Sequence, residues 1–172
     1  FETRLLRHLG LAPGARAIAY MAELKIDGLS LSLHYEDAVL QRAVTRGDGE
    51  RGDDVTPNAR AIRAIPLRLA ADAPSHVEVR GEVYFPRSRF EAMNRGRESR
   101  GEEPFANPRN AAAGSMKSLD SKVVASRGLD MFVYSMAQGR PSELRTQWEL
   151  LRTLAQWGLR TNPTSRRCAR EQ

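Results

Sequence analysis

A lysine closes an apolar run and an Asp-Gly pair follows at once, in Ala22-Glu23-Leu24-Lys25-Ile26-Asp27-Gly28. Upstream lie Ala17-Ile18-Ala19-Tyr20-Met21; downstream, Leu29, Leu31, Leu33 and Tyr35 alternate with Ser30, Ser32 and His34. Strict alternation is the mark of a strand with one face buried, and Asp-Gly is a strong turn dipeptide. The pattern therefore commits this region to a sheet and predicts two strands meeting at a tight turn. A lysine beside that turn has its stem held by stiff backbone while its amine faces a cleft. That arrangement suits covalent catalysis by an amine. The plainer alternative is a surface lysine next to a hairpin, because K-x-D-G is short.

The remaining pattern mixes strands and helices without a strict βαβ rhythm, which predicts an α+β domain built on antiparallel sheets. A short helix is expected over residues 1–9, a loop with Pro13 over 10–14, and strands near 17–25, 29–36 and 38–46 with Glu36-Asp37 as the last turn. Thr56 before Pro57 reads as a helix N-cap with proline at the first position, and Pro66 as that helix's stop. Residues 76–85 form the clearest strand, with Val77, Val79, Val83 and Phe85 on one side and Glu78, Arg80, Glu82 and Tyr84 on the other. Helices follow over 86–100, with Phe90 and Met93 toward the core, over 108–117, and over 143–157, where Trp148 and Trp157 are packing residues. A strand over 129–136 separates the last two.

Charge and cysteine usage narrow the function classes. The 172 residues carry 27 basic against 21 acidic side chains, a net charge of +6, which favours an anionic partner such as nucleic acid. The lone Cys168 excludes an internal disulfide, and with His8, His34 and His76 isolated no zinc site is expected. Gly47-Asp48-Gly49-Glu50-Arg51-Gly52 satisfies G-x-G-x-x-G, but its acidic neighbours would repel a pyrophosphate and the next helix starts too late to face it. The loop is read as a connection. Glu78, Arg80 and Glu82 fit a solvated sheet face with cross-strand pairs as well as they fit a ligand site. Tyr134, in Phe132-Val133-Tyr134, fits core packing nearly as well as a binding role.

Four blocks occur in order: the Lys25 motif, Thr45-Arg46-Gly47-Asp48-Gly49, Glu78-Val79-Arg80-Gly81-Glu82-Val83, and Ala106-Asn107-Pro108-Arg109-Asn110 leading through Ala111 to Ser115. In this order and spacing the chain, from about Phe1 to Leu159, resembles the adenylation (nucleotidyltransferase) domain of bacterial NAD-dependent DNA ligases. The second and fourth blocks are the specific ones, since ATP-dependent ligases and capping enzymes share K-x-D-G without them.

The resemblance implies the nucleotidyltransferase fold of DNA ligase and mRNA capping enzyme catalytic cores. It also implies an incomplete C-terminal side, because two lysine-bearing motifs, the first reading Asp-Gly-Val-Val-x-Lys, do not occur before Gln172. Residues 1–10 would then be the last helix of a mostly absent N-terminal region, 11–160 a partial adenylation domain and 161–172 a polar tail. The chain is accordingly expected to be a fragment or a truncated product, a poor catalyst alone.

The resemblance implies roles residue by residue. Lys25 is the nucleophile that takes AMP from NAD, with Asp27 as its catalytic partner. Glu23, Leu24, Arg46, Glu82 and Tyr134 contact the nucleotide, Glu82 at the ribose and Tyr134 at the adenine. Arg109 and Lys117 serve the phosphate or DNA side. Where many members have Leu-Arg-Gln, this chain has Met116-Lys117-Ser118, losing the guanidinium fork. Magnesium is expected as the phosphoryl-transfer ion, with no residues assigned to hold it. Nicked double-stranded DNA and NAD are the expected partners of a monomeric, cytoplasmic, membrane-free protein. An ordinary lysine is neutral in only about one molecule in a thousand at pH 7.4, so the site must desolvate it or place cations nearby, for which Arg46 and Lys117 are candidates. The alternative function is a non-catalytic basic remnant of the same scaffold that binds nucleic acid or a partner.

Overall fold

The computed structural model describes residues 2–12, 19–48 and 51–168. Phe1, Pro13 to Ile18, the Gly49-Glu50 pair and residues 169–172 lie outside that range, so the expectations resting on them are left there. The chain divides into two compact units, one formed by residues 1–24 with 164–172 and the other by 25–163. The first holds helix α1 (Glu2–His8) and an antiparallel pair, β1 (Tyr20–Ala22) with β6 (Arg166–Cys168). Part of the stretch read as a polar tail is therefore a strand.

The larger unit is a four-stranded antiparallel sheet in the order β3-β2-β4-β5, made of β2 (Leu29–Glu36), β3 (Val39–Thr45), β4 (His76–Tyr84) and β5 (Asp130–Gln138). Helices α2 (Thr56–Arg60), α3 (Arg87–Glu98), α4 (Pro108–Met116), α5 (Ser121–Arg127) and α6 (Gln147–Gln156) complete it. Alternation does the work the sequence implied. Leu31, Leu33, Tyr35, Val77, Val79, Val83, Met131 and Val133 are buried, and the intervening positions of β2 and β4 form a polar face.

The hairpin between β2 and β3 turns at Asp37-Ala38, one residue later than the sequence suggested, with both φ angles positive at 47° and 64°. That is the geometry of a two-residue hairpin turn whose twist matches its strands. The Asp27-Gly28 hairpin does not form. β1 pairs with β6 instead of β2. Gly28 does not adopt a left-handed φ, and the pair leads straight into β2.

Several helix boundaries also differ from the sequence reading. Thr56 is not a side-chain cap: its Oγ1 accepts from the Ala43 N–H at 2.9 Å and donates to Asp54 Oδ1 at 2.6 Å, tying α2 to the edge of β3. That helix ends at Arg60, before Pro66 is reached. No residue of α3 is fully buried; Phe90 is half-buried and faces Phe85 at 6.1 Å. Helix α5 was not foreseen, although Asp120 caps it through the Lys122 N–H and left-handed Gly128 ends it. Helix α6 begins at a capping box, Thr146 with Glu149, and buries Leu150, Leu151 and Leu154.

Buried Asn58 joins α2 to the end of α4: its Nδ2 donates to the Met116 carbonyl at 2.9 Å and to the Ser118 carbonyl at 2.7 Å. Alanine there strands two carbonyls, which costs about 2–4 kcal/mol. In thermal unfolding Asn58→Ala is expected to melt about 5–15 °C lower. An unchanged melting temperature would show that the two bonds add nothing to stability.

Candidate active site

Two adjoining groups of side chains occupy one end of the polar sheet face, where β2 begins and β4 ends. The first is charged. Gly28 sits so close to β4 that a Cβ there would lie 2.1 Å from the Val83 carbonyl oxygen. This proximity lets the Gly28 N–H reach the Glu82 carboxylate. Burial pushes Glu82 above the ordinary carboxyl value, an upward pull opposed by the Lys25 ammonium, the Arg109 guanidinium and the Gly28 N–H, and aided by Asp27. Arg109 Nη1 stands 3.5 Å from Asp27 Oδ1, with both side chains more than 60% exposed. Lys25, Asp27, Glu82 and Arg109 thus form one electrostatic cluster open to solvent.

Arg109 reaches that cluster because of how α4 starts. Asn107 Oδ1 caps the helix by accepting the Asn110 N–H at 2.7 Å, and Pro108 occupies the first turn. Ala111, Ala112, Ser115 and Met116 are buried, so small side chains let the helix settle against the sheet. The Asn-Pro-Arg-Asn block is in this way a helix start that aims one guanidinium.

The second group is centred on Ser30, which faces Glu82 across the β2–β4 ladder. Ser30 Oγ is 3.1 Å from the Tyr134 hydroxyl, and the Ser30 carbonyl accepts the Arg46 N–H at 3.1 Å. Sequence reasoning did not single out Ser30; the signal available was its place on the polar face of β2, two residues past Gly28. Arg46, Tyr134 and Ser30 line a cleft of about 510 Å³ together with Ser32, Arg42 and Arg80. A cleft of this size falls within the range of about 300–1,000 Å³ common for small-molecule sites.

Lys117 Nζ pairs with Asp53 Oδ2 at 3.2 Å, on the return from the 46–52 connection. Of the cations, Lys25 and Arg109 are the ones that bear on Glu82. Glu23 and Leu24 are exposed and end the first unit just before Lys25 opens the second. In the glycine-rich connection, Asp48 Oδ1 accepts the Arg51 N–H at 2.7 Å, and a Cβ at Gly47 would lie 1.7 Å from the Arg51 carbonyl oxygen. Gly47, with a φ of 54°, serves a tight turn there. Among the described residues no group of three or more His, Cys, Asp or Glu side chains is arranged to hold a metal, and no helix is long and apolar enough to cross a membrane.

A carboxyl raised on folding favours the folded state while protonated, and that contribution fades as pH climbs from the ordinary 4.5 through the folded value. Glu82→Gln is thus expected to lose less melting temperature than the parent between pH 4.5 and neutrality. Parallel curves for the two proteins would disprove the buried-carboxyl account.

The fold and site together describe a mixed α/β chain with antiparallel sheets, in which a lysine, two carboxylates and an arginine cluster at one sheet end beside a cleft lined by further arginines. The profile of the NAD-dependent DNA ligase adenylation domain family matches residues 1–172. The DNA ligase of Synechococcus sp. strain JA-3-3Ab is 53% identical over 173 residues, covering 98% of this chain and 26% of that protein. The DNA ligase of Gluconacetobacter diazotrophicus is 47% identical over 166 residues, 96% of this chain and 24% of its own. The DNA ligase of Fervidobacterium nodosum is 50% identical over 151 residues, 88% of this chain and 22% of its own. The chain belongs to the NAD-dependent DNA ligase adenylation domain family. It spans about a quarter of the length of the curated relatives it matches.

Proposed function

We propose that the chain carries the adenylylation step of an NAD-dependent DNA ligase on the core of a nucleotidyltransferase fold. Lys25 Nζ attacks the α-phosphorus of NAD; the N–P bond forms as the P–O bond to nicotinamide mononucleotide breaks, and the amine gives up a proton to solvent. The observation that supports this most is the convergence of Lys25, Asp27 and Arg109 on Glu82, beside the cleft of Arg46 and Tyr134.

In this reading the Glu82 carboxylate accepts from a ribose hydroxyl, Tyr134 offers its ring to adenine, and Arg46 with Glu23 and Leu24 completes the nucleotide contacts. Arg109 neutralises phosphate charge, a task its planar fork suits, and Lys117 serves the DNA side. Magnesium supplies charge neutralisation on the phosphates in transfers of this kind. Asp27 would be the carboxylate that helps hold it. The lysine N–P bond then breaks as AMP passes to the 5′-phosphate of nicked duplex DNA, and attack of the 3′-hydroxyl on that 5′-phosphate expels AMP and seals the strand. A cytoplasmic monomer is the form in which this role is proposed.

Incubation with NAD radiolabelled in its adenylate half, plus magnesium, should leave acid-labile label on the protein. Labelling by ATP but not by NAD would move the chain to another nucleotidyltransferase class. Salt-dependent duplex binding with no labelling from either donor would favour the non-catalytic remnant.

A further inference from the structure

A second cleft, of about 420 Å³, shares no residue with the nucleotide cleft. It opens where the turn after α2, the start of α3, the end of α5 and the start of β5 meet. Three arginines line it, Arg63, Arg89 and Arg160, together with a single carboxylate, Asp130.

That carboxylate has its own partners. Asp130 Oδ2 is 2.7 Å from Arg160 Nη1, and Asp130 Oδ1 accepts the Met131 N–H at 2.8 Å. Arg63 and Arg89 have no ion pair among the described residues. The Arg89 stem and Nε lie across Gly128, where a Cβ would come within 3.3 Å of Nε. Gly128 is the left-handed cap of α5, so the residue that ends the helix also leaves room for the guanidinium. Three cations against one anion leave a formal charge of +2 in a concave site. Like charges held together in a cleft raise the local potential and are relieved by a bound anion. Guanidinium forks match phosphate oxygens in geometry.

We propose that the cleft framed by Arg63, Arg89 and Arg160 seats a backbone phosphate of duplex nucleic acid, at a site separate from the Lys25 chemistry. The interaction is with the backbone and carries no base specificity, because only phosphate geometry is matched. It does not depend on the adenylylation reading, and its test reads DNA binding instead of AMP transfer.

The experiment is fluorescence anisotropy of a labelled, unnicked duplex of arbitrary sequence titrated with this chain at several salt concentrations. Arg63→Gln/Arg89→Gln is compared with the charge-matched Arg145→Gln/Arg152→Gln, whose arginines lie outside the cleft. The cleft variant should bind several-fold more weakly, and its plot of log affinity against log salt should be shallower by about 1, as expected when the one phosphate contact of the cleft is lost. Melting temperatures and AMP labelling of the cleft variant should match the parent. Equal slopes for the two double variants would overturn the proposal, as would absence of duplex binding by the parent chain. Inorganic phosphate supplies the last arm. Movement of the Arg89 Nε–Hε resonance by phosphate, with the duplex slope unchanged by the cleft variant, would reassign the site to free anions and overturn the nucleic-acid assignment.

Discussion

Lys25→Arg is expected to abolish AMP labelling from NAD while the protein stays folded. Lys25 is exposed and lies in the irregular stretch before β2, so the change disturbs no buried packing. Arginine keeps the positive charge that bears on Glu82 but does not deprotonate within reach of neutral pH. Comparing ordinary side-chain values, the neutral fraction falls by about 10²- to 10³-fold, and with it the population able to attack phosphorus. The measurement is label retained after gel separation, set beside thermal unfolding. Label should drop below detection and the melting temperature should hold within about 2 °C, as expected of a surface change. Retained label in the variant would put the adduct on another residue and end the role proposed for Lys25.

Gly28→Ala should have the largest effect on the fold. A methyl group at this position would lie 2.1 Å from the Val83 carbonyl oxygen, 2.9 Å from its carbon and 3.0 Å from Glu82 Cγ. Two of those atoms are backbone of a central strand, so relief requires β2 to move off β4 where Leu29 faces Val83 and Ser30 faces Glu82. The same movement breaks the hydrogen bond from the Gly28 N–H to the Glu82 carboxylate. Overpacking and the broken bond to a charged group together cost about 3–6 kcal/mol, a fall in melting temperature of about 10 °C or more. Gly114→Ala is the comparison, because nothing lies within 4 Å of a Cβ there and the position is helical. It should be neutral or slightly stabilising. Equal melting temperatures for the two variants would show that the close approach of Gly28 to β4 does not constrain the fold.

Much of the sheet was legible because a buried face needs alternation and the chain supplies it. β2 runs over the predicted residues 29–36, and β4 buries Val77, Val79 and Val83 as their spacing required. Elements with local terminal signals were legible too, as Pro108 and Asn107 show at the start of α4. Helix α5 carried such signals in Asp120 and Gly128, but seven residues with one buried side chain make a weak periodic pattern. Strand β6 was illegible for a different reason. Arg166, Arg167 and Cys168 are all exposed and gain their strand geometry from pairing with Tyr20 to Ala22, far away in sequence.

Sequence by itself determined which chemistry the chain offers: a lysine before Asp-Gly, a strand that carries Glu82 on its polar face, and an arginine in the first turn of a capped helix. Those follow from residue type and local pattern, which need no knowledge of distant partners. Tertiary structure decided which of these groups meet. Pairing of β2 with β4 brought Gly28 against Val83 and placed Ser30 opposite Glu82, and the packing of α4 carried Arg109 to Asp27. Lys117 went to Asp53 instead, and three arginines separated by up to 97 positions, from Arg63 to Arg160, came to line one cleft. A one-dimensional pattern records periodicity along the chain, whereas electrostatic interaction depends on distance through space, and that is set only when the strands are in register and the helices are seated.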